Sequence, residues 1–439
     1  MLERLFKLTA HGTNPRTEVL AGVTTFLTMA YIVLVNPAIL SAAGMPAAGV
    51  AAATCFAAGV ACLLMGFLAN YPIAMAPGMG LNAYFAFTVV GAMGIPWQTA
   101  LGLVFISGCV FLLLTFAGVR QLIVEAIPKS LFAAIAAGIG LFIAFIGLRG
   151  AGIVVANPGT TVGLGDLHSP AALLALLGLA IIGVLQVLKV RGGILIGIVA
   201  TALIGWALGL ATFKPEPYSV EQMTATAFQL DIPGALGIGG KGFGLALLEI
   251  LFVFLFVDLF DNVGTLVAVS KRAGLMTPEG RIPRLNRILF ADASASIVGS
   301  LAGTSTVVSY IESASGVSVG GRTGLTAVVV GILFLATMFV APWAQLVPAA
   351  ATAPALILVG AMMMAPLAEV EWDDPVVAIP AFLTLIAIPL TFSIANGLAF
   401  GVIAYALLKV AARQIRRSDW LLLVLAAVFV LRFAYMATA

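Results

Sequence analysis

The chain carries very little charge. Only 9% of its 439 residues are Asp, Glu, Lys or Arg, whereas 62% are hydrophobic. A soluble globular protein of this size needs far more charged residues to cover its surface. Instead, apolar runs of about 17–25 residues recur from end to end, which is the length that a bilayer requires. The sequence therefore predicts an all-α polytopic membrane protein whose main surroundings are lipid.

Histidine and cysteine are also scarce. His11 and His168 fall in polar connecting segments, while Cys55, Cys62 and Cys109 lie in apolar runs without the spacing of metal ligands. The chain has no phosphate-binding glycine loop and no intramembrane pairing of a nucleophile with a base. These absences argue against an enzyme, a metal site or a bound cofactor. The net charge of +3 does not indicate nucleic acid, because the basic residues follow membrane topology.

Glycine, proline and charged residues divide the apolar runs into fourteen predicted spans and one further helix. The first seven spans are 17–41, 48–70, 78–92, 97–118, 130–149, 170–189 and 192–211. The next seven are 244–270, 286–302, 308–320, 323–342, 350–367, 375–391 and 394–412. A last apolar helix, 419–437, follows the basic run Arg413–Arg417. The sequence leaves open whether this helix spans the membrane, lies at its interface or packs on the bundle.

Basic residues indicate the orientation. With a cytoplasmic N-terminus, seventeen of the 21 Lys and Arg residues fall on cytoplasmic connections. This bias is the one that the positive-inside rule describes. The sequence thus predicts a multi-pass protein of the plasma membrane, the inner membrane in a bacterium, with its N-terminus in the cytoplasm.

Three matches, in the same order in both halves, indicate an internal repeat. They pair Gly66–Ala69 with Gly299–Ala302, Pro128–Gly140 with Pro348–Gly360, and Gly193, Gly197 and Ala200 with Gly397, Gly401 and Ala404. Seven spans per unit is an odd number, so the second unit inserts upside down, as in many secondary transporters. The predicted divisions are a first repeat, 1–212, an external loop, 213–242, a second repeat, 243–412, and a basic linker with a hydrophobic helix, 413–439.

The apolar stretch Phe252–Ser270 contains two acids near its middle. Asp258 and Asp261 are three residues apart, so on a helix they project from one face. A carboxylate inside a bilayer costs several kcal/mol and usually faces a polar cavity. Burial beside a second acid also makes such a carboxylate a suitable carrier of a coupled proton. The alternative is a structural hydrogen-bond network with neighbouring helices.

The third and tenth spans are interrupted at corresponding places of the repeat, over Ala76–Asn82 and Gly303–Gly316. Pro77 removes a backbone donor, and glycines admit non-helical backbone. Unwound backbone at membrane depth is tolerated only where it is buried in protein or lines a cavity. Paired broken helices therefore predict a binding site near the midplane, although ordinary kinks without a ligand are the alternative.

The polar groups expected at this site are mostly acids and hydroxyls. They are Asn82, Asp258, Asp261, Thr265, Ser309, Glu312, Ser313 and Ser315. No Lys or Arg lies in the broken segments or the core of the acidic helix, which argues against anionic substrates. Because an ionised carboxylate only accepts hydrogen bonds, the site suits a cation or a neutral ligand with several N–H donors. Phe85 and Phe260 offer faces for stacking.

Several segments resemble the AzgA-like purine permeases of the nucleobase–cation symporter and nucleobase–ascorbate transporter superfamily. The resemblance rests on Thr25–Pro37 in the first span, Ala76–Phe85 in the third, Asp258–Asp261 in the eighth, Ser309–Gly316 in the tenth and Ile394–Gly401 near the end. It covers nearly the whole chain. One residue departs from the family pattern, which has Thr where this chain has Asn262, and this departure bears on purine selectivity.

The resemblance implies fourteen spans in two inverted repeats, short broken segments in spans 3 and 10, and frequent pairing as homodimers. The core domain would comprise 17–118 and 244–342, and the gate domain 130–211 and 350–412. Glu312 and Asp261 would contact the base, with Gly80 and Asn82 beside them, and Thr265 would lie near the ligand or the proton. The full set expected to bind substrate is Gly80, Asn82, Phe85, Asp261, Glu312 and Ser313. Asp258, Thr265 and Asp292 are expected to handle the proton or support the site.

The resulting hypothesis is a secondary active transporter that imports adenine, guanine and hypoxanthine by proton symport, with the proton gradient as its energy source. A uracil or xanthine carrier of the same superfamily is the alternative within transporters. An uncoupled facilitator for a small neutral solute shares the architecture but does not need two buried carboxylates.

Overall fold

The structure is a computed structural model that describes residues 2–117, 128–210, 219–238, 245–277, 281–415 and 419–436. Part of the predicted external loop and of the basic linker therefore lies outside the described residues. So do the basic residues Arg120, Lys214, Lys241, Arg416 and Arg417, which belong to the topology prediction.

The described chain is almost entirely helical. Its elements up to residue 207 are α1 (Leu2–Phe6), α2 (Pro15–Met29), α3 (Ile32–Leu40), α4 (Ala47–Leu64), β1 (Met75–Pro77), α5 (Met79–Ala83), α6 (Trp97–Phe116), α7 (Lys129–Gly150), β2 (Val154–Asn157), β3 (Thr161–Leu164), α8 (Pro170–Val187) and α9 (Gly193–Ala207). π-Helix continues α4 over Met65–Ala69 and α5 over Tyr84–Ala92.

The remaining elements begin within the predicted external loop. They are α10 (Val220–Thr224), α11 (Ile232–Ala235), α12 (Leu245–Arg272), α13 (Leu285–Ala302), β4 (Val307–Ser309), α14 (Ser313–Val319), α15 (Gly324–Thr337), α16 (Ala349–Met362), α17 (Pro375–Leu390), α18 (Ile394–Ala411) and α19 (Trp420–Met436). Short 3-10 turns lie at Thr9–His11, Ser41–Ala43, Ala341–Leu346 and Ala365–Glu369.

Length and hydropathy confirm a membrane protein. Among the described residues, 8 helical segments are long and apolar enough to cross a bilayer, and shorter apolar helices such as α9, α15 and α17 accompany them. Two features were not predicted. β2 and β3 form an antiparallel hairpin after α7, which lies outside the all-α expectation, and the segment predicted as an external loop contains the helices α10 and α11. These elements are short, and none has the long apolar period by which helices are recognised in a sequence.

The chain divides into two compact units. The first comprises Met1–Thr115 and Gly147–Leu356, and the second comprises Phe116–Ile146 and Ile357–Ala439. This division does not test the predicted boundaries of the repeats or of the core and gate domains, which stay predictions.

Small residues bring the helices of the first unit close together. A Cβ atom on Gly66, at the end of α4, would lie 2.6 Å from the carbonyl oxygen of Gly324 in α15. A Cβ on Gly59 would lie 2.6 Å from Leu335, further along the same pair of helices. Helix contacts in membranes favour such small residues because lipid provides no hydrophobic driving force for packing.

The second unit contains the final helix, whose position the sequence leaves open. The Lys409 ammonium of α18 lies 2.8 Å from the Asp419 carboxylate at the start of α19. Near the other end, Arg432 Nη2 donates to Asn396 Oδ1 at 2.9 Å. The two contacts pair early residues of one helix with late residues of the other, so α19 packs antiparallel along α18. The contact between α19 and α18 is thus observed, and the position of α19 relative to the membrane stays a prediction.

A buried carboxylate fastens the first span to α15. Glu18 of α2 is fully buried and accepts hydrogen bonds from the backbone N–H groups of Arg322, Thr323 and Thr326, at 2.8, 3.3 and 3.2 Å. The Thr326 hydroxyl donates to the same carboxylate at 2.6 Å, and Asn70 Oδ1 accepts from Gly324 N at 2.7 Å. Glu18 therefore caps a helix remote in sequence, and the positive end of that helix favours its charge.

We expect Glu18→Ala to lower the stability of the folded protein by about 2–4 kcal/mol, because several buried donors lose their acceptor together. In detergent the unfolding temperature should fall by about 5 °C. Glu3→Ala is the matched control, since Glu3 is exposed and accepts from Thr9 N. Equal unfolding temperatures for the two variants would contradict this account of Glu18.

Candidate functional site

The two broken spans pair with each other through backbone. β1 and β4 are antiparallel, with Met75 opposite Ser309 and Pro77 opposite Val307, and all their residues are buried. Gly78 N donates to Thr306 O and Tyr310 N donates to Ala74 O, both at 2.9 Å, which lengthens the ladder. Each strand thus satisfies backbone groups that the other leaves without helical partners. Irregular backbone becomes tolerable at membrane depth in this way.

Glu312 lies where the tenth span resumes as helix. It directly precedes α14, its side chain is half-buried, and the Tyr31 hydroxyl donates to its Oε1 at 2.6 Å. The next residue, Ser313, is fully buried and accepts from Ala74 N at 3.0 Å. Glu312 is therefore held by the first span, while Ser313 locks the start of the same helix to the third.

The two aspartates of α12 have different surroundings. Asp258 is 2% exposed, and Asn262 Nδ2 donates to its Oδ1 at 2.9 Å. The Asn262 side chain also accepts from the backbone N–H of Ser309 at 2.7 Å, so it joins Asp258 to β4. Asp261 is half-buried, and the charges that act on it most are those of Glu312 and Asp292.

This arrangement assembles an acidic cluster, which we define as Asp261, Asp292 and Glu312. Tyr310 lies within electrostatic range of both Glu312 and Asp261, and its hydroxyl donates to Pro77 O at 2.6 Å. Asp292 is fully buried on α13. Like charges at close range can exchange protons as a group rather than one at a time. The cluster can accept N–H donors and can also hold a proton.

In the third span, the predicted site residue Asn82 bonds to another part of the protein. Asn82 is fully buried, and its side-chain N–H donates to Asn36 Oδ1. Asn36 in turn donates to Thr54 and Thr304, at 2.8 and 2.9 Å. This polar network joins the first, second and third spans to the segment before β4. The amide group of Asn82 is thus engaged with protein, with its Oδ1 buried and without a hydrogen-bond partner among the described residues.

The other predicted residues are buried in the helices of the site. Gly80 and Phe85 are buried, and Thr265, one turn after Asp261, is 9% exposed. Beside Phe85, the ring of Tyr84 meets that of Phe254 edge-on at 5.5 Å. The side chain of Phe260, the second stacking candidate, lies outside the described part of the structure. The roles of all these residues stay predictions.

Sequence reasoning missed several polar residues that hold the site together. Tyr31, Asn36, Asn262 and Tyr310 each bond to a site residue or to the crossing strands, yet none stood among the expected site residues. A signal was available, because Asn36 and Asn262 are polar residues within apolar runs, and a buried polar side chain needs a partner. What the sequence cannot supply is the identity of that partner.

Two sequence relatives and one solved structure are similar to this chain. The adenine permease AdeP of Escherichia coli strain K12 is 46% identical over 435 residues, which covers 99% of this chain and 96% of AdeP. The guanine/hypoxanthine permease PbuG of Bacillus subtilis strain 168 is 45% identical over 447 residues, covering 99% of this chain and 100% of PbuG. The transmembrane domain of the cyanobacterial bicarbonate transporter BicA superposes with a TM-score of 0.65 at 16% identity, covering 88% of this chain and 97% of that domain.

The likeness to BicA shows a shared fold, while the sequence relatives show kinship over the full length. A family model also matches residues 16–400, the range that contains both broken spans, the acidic cluster and the polar network, and its description is Permease family. The chain belongs to the Permease family and is a membrane transporter rather than an enzyme.

Proposed function

We propose that this protein imports purine nucleobases by secondary active transport. The observation that carries the proposal is the acidic cluster at the crossing of the broken spans, where α12 with Asp261 packs against α14, which follows Glu312 directly. A purine presents N–H donors on its edges, and a carboxylate supplies only acceptors. Relatives with 46% and 45% identity over nearly the full chain are an adenine permease and a guanine/hypoxanthine permease, which supports the same substrate class.

Within the site we assign base recognition to Glu312 and Asp261. Both are half-buried, so they combine access with surroundings of low polarity. Tyr31 occupies one acceptor position of Glu312, and an ionised carboxylate has about four. Asp258 has a different role, because its bond to Asn262 commits it to the link with β4. Gly80, Asn82, Phe85 and Ser313 complete the proposed site as the walls of the third and tenth spans.

Proton symport is the proposed energy coupling, with no bound cofactor. The acidic cluster offers a place where a proton can be taken up with the base and released with it. Asp292 is the most enclosed member at 0% exposure, while Asp261 and Glu312 are more accessible. An exchange of protons within the cluster would couple base occupancy to the proton gradient.

We further propose fourteen spans in two inverted repeats, with core and gate domains and a homodimeric assembly in the inner membrane, N-terminus inside. Two contacts support the repeat. The matched strands β1 and β4 pair with each other, and the matched glycines Gly140 and Gly360 pack face to face, with a Cβ on Gly140 only 2.7 Å from Gly360 O. Equivalent residues meet in this way at a pseudo-two-fold axis.

The first test is uptake by cells that lack their own base permeases. Labelled hypoxanthine, guanine and adenine should accumulate, and an uncoupler should abolish accumulation because the gradient supplies the energy. Unlabelled uracil and xanthine serve as competitors. Preferential inhibition by either would favour the alternative carrier, and uptake that ignores the uncoupler would contradict proton coupling.

The site assignment predicts that Asp261→Asn and Glu312→Gln each weaken uptake by about 10- to 100-fold, because a hydrogen bond to a charged group is lost. Asp166→Asn is the matched control, since the Asp166 side chain is 73% exposed in a connecting loop. Surface expression of all three variants should match the wild type. Normal uptake by the Asp261 and Glu312 variants would overturn the assignment.

Asn262 provides a separate prediction, because it stands where the family pattern has Thr. The shorter Thr side chain cannot reach both Asp258 and Ser309 N, so Asn262→Thr should release β4 and raise the KM for the preferred purine by about 10-fold. Asn157→Thr, in the exposed hairpin turn, should leave the KM unchanged. An unchanged KM and unchanged base preference in Asn262→Thr would show that the link to β4 does not matter for transport.

A further inference from the structure

The first span runs antiparallel along the half-helix that carries Glu312. At one end Glu18 of α2 accepts from Arg322 N and Thr323 N, just beyond α14. In the middle a Cβ on Gly316 of α14 would lie 2.6 Å from Ala21 O, so the two backbones are in close contact. At the other end Tyr31 reaches Glu312. The half-helix is therefore held along its whole length by one partner.

Tyr31 lies at the break between the two helices of that partner. The helix is interrupted between Met29, the end of α2, and Ile32, the start of α3. The Tyr31 side chain is 0% exposed, so packing fixes its orientation before any ligand arrives. Its hydroxyl donates to Glu312 Oε1 at 2.6 Å.

We propose that Tyr31 is a positioning residue for base recognition. By holding Oε1 of Glu312, it fixes the rotation of the carboxyl group and so aims the remaining acceptor positions at one N–H edge of the base. This inference rests on the proposed function and deepens it, because it names the group that sets which edge is read. Tyr31 itself does not contact the base.

A simpler explanation is that a buried hydroxyl merely finds the nearest acceptor. Two other buried tyrosines do so, since Tyr310 donates to Pro77 O at 2.6 Å and Tyr71 donates to Pro283 O at 2.9 Å. Both use backbone carbonyl groups. Tyr31 instead bonds to a side chain 281 residues away, the one carboxylate that begins the half-helix of the site. A carboxylate with one oxygen held is a directional acceptor, whereas a free one is not.

Removal of the Tyr31 hydroxyl should lower substrate selectivity and leave the fold intact. Tyr31→Phe keeps the ring and its packing but frees the Glu312 carboxyl group to rotate. We expect Tyr31→Phe to raise the KM for the preferred purine by about 10-fold while kcat stays within about threefold of the wild type. Discrimination against the N-methylated hypoxanthine that the wild type rejects most strongly should narrow by a similar factor.

The experiment measures uptake kinetics for hypoxanthine and its singly N-methylated analogues in wild type, Tyr31→Phe and Tyr71→Phe. Tyr71→Phe is the matched control, because it deletes the same buried hydroxyl from a tyrosine bonded to Pro283 O. Its KM and its discrimination should equal those of the wild type. Unfolding temperatures of the purified variants report on structure independently of transport.

Two results would overturn the inference. One is an unchanged KM and unchanged discrimination in Tyr31→Phe while the wild type transports purines, which leaves the proposed function intact. The other is a fall in kcat and unfolding temperature with the same discrimination, which makes Tyr31 purely structural. If the wild type takes up a pyrimidine instead, the purine proposal fails, and the same ratios measured with N-methylated pyrimidines decide the role of Tyr31.

Discussion

Backbone hydrogen bonding inside the bilayer is the constraint on which the rest of the site depends. Lipid offers no partner for an open N–H or C=O group, so a broken span survives only if protein supplies one. β1 and β4 supply it to each other, and Gly78 N and Tyr310 N extend the pairing beyond the strands. The mutual dependence brings the third and tenth spans to one crossing. Because the two backbones must pair, the side chains next to the paired strands are brought together as well.

Buried polar side chains, like the buried backbone groups, need hydrogen-bond partners within the protein. Asn82 is paired with Asn36, Asp258 with Asn262, and Glu312 with Tyr31. Each pair joins or steadies a different element around the crossing, and an unpaired member would carry a penalty of about 1–3 kcal/mol. The pairing also separates two chemically identical residues. Asp258 is committed to β4 through Asn262, whereas Asp261 faces the other acids and stays partly accessible.

The first span contacts the half-helix of Glu312 at three places. α2 fixes the far end of the half-helix through Glu18 and packs against its middle at Gly316, and Tyr31, just after α2, reaches Glu312 at its start. Two helices joined at both ends move as one body more readily than they separate. A transporter that changes access to its site needs the site itself to keep its geometry, and this joint provides such rigidity.

The sequence by itself determined the membrane class, the helical architecture and the place of the interruptions. These follow from local properties: apolar length, the missing donor of Pro77, and acids in a run that water does not reach. Tertiary structure alone decided the partners. Asn82 bonds to Asn36, Tyr31 reaches a residue 281 positions away, and the last helix lies along α18. The direction of a side chain depends on how its helix is rotated in the packed bundle, and that rotation is set by contacts between segments that the order of residues does not reveal.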